Sequence, residues 1–443
     1  MNEWINEKLL PPVLRFVNTK PITALRNGML YTMPFTIVGS IFLLLANIPY
    51  EPAANWVTES GLGVYFNQAF GASFAIMAVF AVIGIAYSYV KTEGFEGLPA
   101  GMIGLVIFIM FMSAELTDAE SGITIGNIIN KDWTGGKGMI TAILVGLIVG
   151  WVYSWFLRHD IRIKLPEQVP ENVANSFTAL IPAAVLITGA MFVYIFFDKV
   201  FSTTFFEFIY DVLQSPLQGV TDTLGGALII GFLVPFFWFF GVHGSTIVGG
   251  IMEPILQANS LENTEILNAG KALTIENGGH IVTKQFMDQF QTVTGAGMTI
   301  GLVVFMVFLA KSAQFKQLGR LSLAPALFGI NEPIVFATPI VMNPIMVVPF
   351  ILTPVVSSVI TYFALYTGLV PLFTAVQVPW TTPAILSGLL VGGWRTALLQ
   401  AFVLVLGFFI YLPFARKMDA INYAQETGQP VEEDVLEKIE AEQ

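Results

Sequence analysis

The sequence contains no cysteine among its 443 residues. Disulfide bonds, thiolate metal sites and a cysteine nucleophile are therefore excluded on this chain. Charged residues are also scarce, at 12%, whereas soluble domains average about 25%. Together with 55% hydrophobic residues and a mean hydropathy of +0.72, this scarcity indicates a polytopic membrane protein.

Three further absences narrow the classes of function. The only histidines are His159, His243 and His280, and so few scattered ligands predict no metal site and no cofactor. No Gly-x-x-x-x-Gly-Lys-Ser/Thr phosphate loop occurs, so ATP is not bound through that motif. The net charge is −11, of which −6 belongs to the acidic tail Ala424–Gln443. No basic surface for DNA or RNA is therefore expected.

Long apolar runs predict the membrane-spanning helices. Runs of about 17–25 residues can cross a bilayer, and they occur at 24–48, 70–90, 98–114, 138–157, 175–198, 223–242, 293–310, 336–365 and 383–412. Two stretches that are too short or too broken to span, Val242–Ile255 and Leu321–Pro333, predict re-entrant hairpins. The segment Lys199–Asp222 predicts an interfacial amphipathic helix. The expected fold is all-α, with about ten transmembrane helices.

The distribution of basic residues predicts the orientation. Lysine and arginine are found before the first span, after the fourth, before Leu321–Pro333 and at Arg416-Lys417, whereas the loop 49–69 carries only acidic charges. By the positive-inside rule, the basic segments and both termini are expected in the cytoplasm.

The two halves of the sequence differ in regularity. Residues 1–222 resemble the regular helices of a scaffold, whereas residues 223–383 contain the broken segments and unusual polar residues. Transporters place their substrates at such discontinuous helices. We therefore expect the substrate in 223–383, a last transmembrane helix at 384–412, and an acidic cytoplasmic tail at 413–443.

One carboxylate stands alone in the second half. Glu332 is the only ionisable side chain between Leu321 and Val356, and a charge at the centre of a bilayer costs at least about 2.5–3.5 kcal/mol. Pro333 breaks the backbone beside it, and Asn331 adds an amide with donors and an acceptor. This combination suits a polyhydroxylated ligand such as a sugar. The alternative is a structural glutamate satisfied by a neighbouring helix.

Other candidate binding residues are aromatic or imidazole side chains. His243 lies between glycines in Gly241-Val-His-Gly244 and can hydrogen-bond a sugar hydroxyl, unless it is a satisfied core histidine. Trp380 and, less strongly, Trp238 are candidates for stacking on a sugar ring, although each could equally belong to an interfacial belt. His280 is predicted to be a surface-loop residue.

Three stretches together resemble a known family: Gly241-Val-His-Gly244, Gly329-Ile-Asn-Glu-Pro-Ile-Val-Phe336 and Lys164-Leu-Pro-Glu-Gln-Val-Pro-Glu-Asn-Val-Ala-Asn-Ser-Phe-Thr-Ala-Leu-Ile-Pro182. They are similar to the membrane IIC subunit of the bacterial sugar phosphotransferase system, in its lactose/cellobiose/chitobiose branch. The resemblance implies a homodimeric permease of the bacterial cytoplasmic membrane, with a scaffold and dimerisation half and a sugar-binding half. It also implies that Glu332 and His243 coordinate the sugar where it is phosphorylated by a phosphocysteine of a cytoplasmic IIB protein.

This resemblance leads to a specific expectation. Because the chain has no cysteine and only residues 413–443 follow Leu412, a separate IIB protein is expected to carry the phosphate. A cellobiose- or diacetylchitobiose-like disaccharide is then favoured over lactose. Glu332 would act either as a general base or only as a hydrogen-bond acceptor. The alternative is a proton-coupled secondary sugar transporter in which Glu332 carries the proton.

Overall fold

The computed structural model is predominantly helical. It describes residues 15, 19–46, 48, 51–117, 124–166, 168–241, 243–338, 340–341, 343–379 and 381–428. The α-helices are α1 Lys20–Leu30, α2 Met33–Ala46, α3 Glu51–Glu59, α4 Leu62–Gly71, α5 Met77–Thr92, α6 Leu98–Met110, α7 Met139–Arg158, α8 Glu171–Thr178, α9 Leu180–Phe196, α10 Phe205–Ile209, α11 Ser215–Thr221, α12 Leu224–Phe239, α13 Gly244–Asn268, α14 Lys284–Phe286, α15 Ile300–Phe308, α16 Ala313–Leu327, α17 Glu332–Ala337, α18 Val347–Tyr366 and α19 Leu386–Thr427. A small antiparallel ribbon pairs β1 Glu115–Thr117 with β2 Thr124–Gly126.

Several of these helices are long and apolar enough to cross a membrane. Within the described residues there are six such stretches, or seven if the broken pair Phe205–Thr221 and Leu224–Phe239 forms one span. The six are Lys20–Ala46, Leu62–Thr92, Gly136–Arg158, Leu180–Phe201, Val347–Tyr366 and Leu386–Thr427. A helical membrane protein is therefore confirmed, while the expected total of about ten spans stays a prediction.

The chain folds into two compact units. The first is drawn from Met1–Leu43, Gly61–Gly219 and Gly249–Glu262, and the second from Leu44–Ser60, Val220–Val248 and Asn263–Gln443. In the first unit, glycines let helix backbones approach closely. A Cβ built on Gly28 of α1 would lie 2.6 Å from the Cα of Ile85 in α5.

The second unit contains irregular backbone held by buried amides. Gln400 of α19 accepts hydrogen bonds from the backbone N–H groups of Ile385 (2.5 Å) and Gly388 (3.0 Å) and donates to the carbonyl of Gln289 (3.0 Å). Such bonds replace those that a continuous helix would make, which is a requirement for irregular backbone in a membrane protein.

Two predicted spans are wrong in their bounds. The run 293–310 is helical only in α15, because the turns before it contain Thr294, Gly295, Gly297 and Met298 at positive φ. In the run 336–365, the described residues between α17 and α18 are not helical. Both runs are largely apolar, and their length was given more weight than the Gly and Pro residues that signal breaks.

Three other segments differ from expectation. The stretch Val242–Ile255 belongs largely to the 25-residue helix α13, which continues through Pro254. Within Lys199–Asp222, the helix covers only Phe205–Thr221 and passes through a π-helical turn at Tyr210–Gln214. The last helix, α19, extends to Thr427 and is interrupted by non-helical φ and ψ at Gly392 and Gly393.

Candidate functional site

The first candidate residue, His243, caps a helix. Helix α12 ends in Gly241 at φ 74°, a left-handed conformation that favours glycine. His243 then forms the N-cap of α13, since its Nδ1 accepts a hydrogen bond from the Thr246 N–H at 3.2 Å and lies 2.8 Å from the Thr246 hydroxyl. In the neutral ring with Nδ1 as acceptor, Nε2 carries the hydrogen. The residue is exposed, and in this tautomer its Nε2 is a hydrogen-bond donor.

This turn is packed tightly against α12. A Cβ on Gly244 would lie 1.9 Å from the carbonyl oxygen of Val234, so no larger residue fits without moving the backbone. The indole of Trp238 lies beside the imidazole of His243, with ring centroids 4.5 Å apart. Trp238 is only 4% exposed, and its Nε1 has no hydrogen-bond partner in the described part of the chain. The imidazole is thus held by its capping bonds and by its contact with the indole.

The second candidate segment is a turn with the same design. Helix α16 ends in Gly329 at φ 78°, where the N–H of Gly329 donates to Ala326 O (3.2 Å) and that of Ile330 donates to Pro325 O (3.0 Å). These two bonds form a Schellman motif. Asn331 is the N-cap of α17 and Glu332 is its first residue.

The amide of Asn331 is committed to the protein. Its Nδ2 donates to the carbonyl of Ala296 at 2.6 Å and to the hydroxyl of Thr299 at 3.2 Å. The residue is 2% exposed. A Cβ on Gly295 would lie 2.3 Å from the Cγ of Asn331, so the turn at 292–299 fits around this side chain. Asn331 therefore anchors the start of α17.

The two turns come together through aromatic rings. Trp238, which contacts His243, also packs edge-on against Phe336 of α17, with centroids 5.9 Å apart. Phe336 follows Glu332 by about one helical turn. A Cβ on Gly241 would lie 3.6 Å from Val341, which follows α17. The His243 turn and the helix that begins with Glu332 are thus neighbours in the second unit.

The side chains of two expected binding residues lie outside the described part of the structure. Trp380 lies outside the described residues. The backbone of Glu332 is placed as the first residue of α17, but its side chain lies outside the described part of the structure. For Trp238, deep burial leaves no face open for stacking on a sugar ring in this conformation.

Sequence reasoning missed several residues of this unit. The turn at 292–299 was assigned to a span, although its Thr-Gly-Ala-Gly sequence is a signal for a break. His280 was expected in a surface loop, but it is half-buried, and its Nδ1 lies 3.1 Å from Asp222 Oδ2. Lys284 pairs with Asp288 at helical i, i+4 spacing and is largely buried. Ionisable pairs inside a membrane protein are candidates for function.

Broken helices and paired polar turns within one unit are typical of helical membrane transport proteins. The comparisons with known proteins agree with this class. Residues 26–354 match the family Phosphotransferase system, EIIC. The chain therefore belongs to the EIIC family of the phosphotransferase system, as the three motifs predicted.

Relatives in this family match almost the whole chain. The oligo-beta-mannoside-specific EIIC component of Bacillus subtilis (strain 168) is 36% identical over 98% of this chain and 97% of its own length. The cellobiose-specific EIIC component of Geobacillus stearothermophilus is 34% identical over 96% of each chain. The crystal structure of ChbC, the IIC component of the N,N'-diacetylchitobiose-specific system, superposes with a TM-score of 0.91 at 34% identity and covers 96% of this chain and 100% of that one.

Proposed function

We propose that this chain binds a β-linked disaccharide, of the cellobiose or diacetylchitobiose kind, and presents it for phosphorylation by a separate cytoplasmic IIB protein. The relatives named for cellobiose, diacetylchitobiose and oligo-beta-mannoside all match over nearly their full length. The chain has no cysteine that could carry the phosphate. A homodimer in the bacterial plasma membrane, with both termini in the cytoplasm, is part of the same proposal.

The observation that carries this proposal is the contact of Trp238 with both His243 and Phe336. It joins the imidazole to the helix that begins with Glu332. A sugar hydroxyl both accepts and donates a hydrogen bond. It can therefore accept from the Nε2–H of His243 and donate to the carboxylate of Glu332, and this pair orients one hydroxyl for reaction.

The chemistry then follows from this orientation. The hydroxyl oxygen attacks the phosphorus of the IIB phosphocysteine, an O–P bond forms, the S–P bond breaks, and the thiolate leaves on IIB. Glu332 takes up the hydroxyl proton as a general base. Phosphoryl transfer depends mainly on positioning and electrostatics, so the permease supplies alignment and the base. The phosphorylated sugar is charged and cannot return through the membrane.

We propose roles for the other candidates from their burial and contacts. Asn331 positions Glu332, because both of its amide hydrogens are bonded to the protein. Trp238 positions His243 through the contact between their rings. Trp380 remains our candidate for stacking on a sugar ring.

Replacing Glu332→Gln tests the general base. In vesicles supplied with phospho-IIB, we expect sugar binding to persist and phosphorylation to fall by about 10²–10⁴-fold, the usual contribution of a general base. Full activity would restrict Glu332 to a hydrogen-bond acceptor. In the alternative function, proton-coupled transport, a pH gradient without phospho-IIB would drive uptake. Our proposal expects no uptake under that condition.

Two substitutions of His243 separate its capping role from its binding role. Asn is a good N-cap and places an oxygen near the Nδ1 position, so His243→Asn should keep the turn but remove the Nε2 donor. His243→Gln places its amide near Nε2 and weakens the cap. We expect His243→Asn to melt normally and bind sugar weakly, and His243→Gln to show the reverse. Normal sugar affinity in His243→Asn would reduce this residue to a cap.

A further inference from the structure

A second lone charge lies far from the candidate sugar site along the chain. Arg395 is the only charged residue between Glu332 and Arg416. It follows the non-helical pair Gly392–Gly393 and stands in the first turn of the long second segment of α19. Its guanidinium lies 5.6 Å from the ring centroid of Trp394, and no ion pair is found for it among the described residues.

Arg395 stands at the edge of an apolar groove. The groove has a volume of about 1070 Å³ and lies between the C-terminal half of α18 and the second segment of α19. Phe363, Leu398 and Phe402 line its wall, and Thr367 lies at the end of α18. Arg395 is the only charged residue in the lining. The groove therefore offers a hydrophobic surface with a single positive charge, that of Arg395.

The length of α19 places this charge at a membrane surface. Arg416 follows Arg395 by 21 positions, which corresponds to about 32 Å of helix at about 1.5 Å per residue. The hydrocarbon core of a bilayer is roughly 30 Å thick. If Arg416 and Lys417 lie at one surface, Arg395 lies at the headgroups of the other. Trp394, 64% exposed, is a residue type that favours this interface.

We infer that this groove binds a phospholipid with a net negative headgroup, with an acyl chain along Phe363, Leu398 and Phe402 and the phosphate at Arg395. A sugar would leave its hydroxyls unpaired on such an apolar wall. The planar guanidinium fork matches a phosphate. A zwitterionic headgroup fits less well, because its ammonium group would stand beside the cation of Arg395.

Quenching of tryptophan fluorescence by brominated lipids tests this site. The full chain is reconstituted in vesicles of phosphatidylglycerol and phosphatidylcholine, with bromine on the acyl chains of one lipid at a time. The contribution of Trp394 is the difference between wild type and Trp394→Phe. We expect this contribution to report about fivefold preference for phosphatidylglycerol, the usual effect of one basic side chain beside anionic lipids. Trp151, 54% exposed on α7, is the matched control, and Trp151→Phe should reveal no such preference.

Two variants of Arg395 assign the preference to the guanidinium. Arg395→Gln should bring the preference at Trp394 close to unity, and Arg395→Lys should retain part of it. A preference that survives in Arg395→Gln would overturn the proposal. So would equal quenching by both lipids in the wild type. Quenching by neither lipid would also overturn it, because a second copy of the chain or another protein would then cover the groove. None of these outcomes depends on sugar phosphorylation.

Discussion

Substituting Gly295→Ala should disable the candidate site without touching any group proposed to contact the sugar. The new Cβ would lie 2.3 Å from Cγ and 2.5 Å from Oδ1 of Asn331. Asn331 is buried and bonded to Ala296 and Thr299, so it cannot move aside freely. The start of α17, and Glu332 with it, must shift instead.

The expected size of the effect has two parts. A non-glycine residue at positive φ costs about 1–3 kcal/mol. Displacing the amide of Asn331 leaves a buried acceptor without its donor, which costs a further ~1–3 kcal/mol. Gly270 also has positive φ, at 73°, but its Cβ would meet nothing within 4 Å. Gly270→Ala therefore carries only the first part and is the matched control.

The assay is the rate of sugar phosphorylation in vesicles at saturating phospho-IIB, with the melting temperature measured on the same preparations. A displacement of about 1 Å can reduce a rate about 10²-fold, and we expect that loss in Gly295→Ala. Gly270→Ala should stay close to wild type. If Gly295→Ala is too unstable to purify, Thr299→Val removes one acceptor of Asn331 and should give a smaller loss. Equal rates in Gly295→Ala and Gly270→Ala would refute the positioning role of this turn.

Three further predictions concern other contacts. Gly244→Ala should lower the free energy of unfolding by at least about 2 kcal/mol through overpacking, because its Cβ would meet Val234 O at 1.9 Å. The control Gly225→Ala, with 3.6 Å to its nearest atom, should not lower it. Thermal melts of both variants check this. Asp419→Ala should cost about 1–3 kcal/mol, because the buried carboxylate accepts three bonds at the start of α16, and unchanged hydrogen exchange at that helix end would contradict it. Hydrogen bonds from Lys164 and Arg162 lower the pKa of Asp160. Protection of the loop 160–164 from hydrogen exchange should therefore be complete above about pH 4, the pKa of the unfolded state. The protection should decline as the pH falls through the pKa of the folded state. Asp160→Asn should abolish that dependence.

Much of the site could be predicted because its signals are local. A carboxylate in an apolar run, a proline beside it and glycines around a histidine all marked turns at 241–244 and 329–333. Both turns contain a left-handed glycine followed two residues later by a helix cap. The family resemblance came from the same short stretches.

The turn at 292–299 could not be predicted in its role, because its partner is distant in sequence. Gly295 meets Asn331, thirty-six residues further along the chain. Nothing in an apolar run shows which glycine will be packed against which side chain. Periodicity reports which face of a helix is buried, but it does not report the contacts between turns. The extension of α13 beyond Pro254 was missed for a related reason, since tertiary contacts can hold a proline within a helix.

The different burial of His243 and Asn331 shows where sequence reasoning about binding residues ends. The two residues occupy the same position in two turns of the same kind, and both were expected to contact the sugar. Polar residues are common at N-cap positions for structural reasons, so a polar residue there does not by itself indicate a ligand. His243 uses one nitrogen as a cap acceptor and keeps the other on an exposed ring. Asn331 gives both amide hydrogens to the protein. A ring with two separate nitrogens can serve the fold and a ligand together, and for this reason we propose His243, rather than Asn331, as the partner of Glu332.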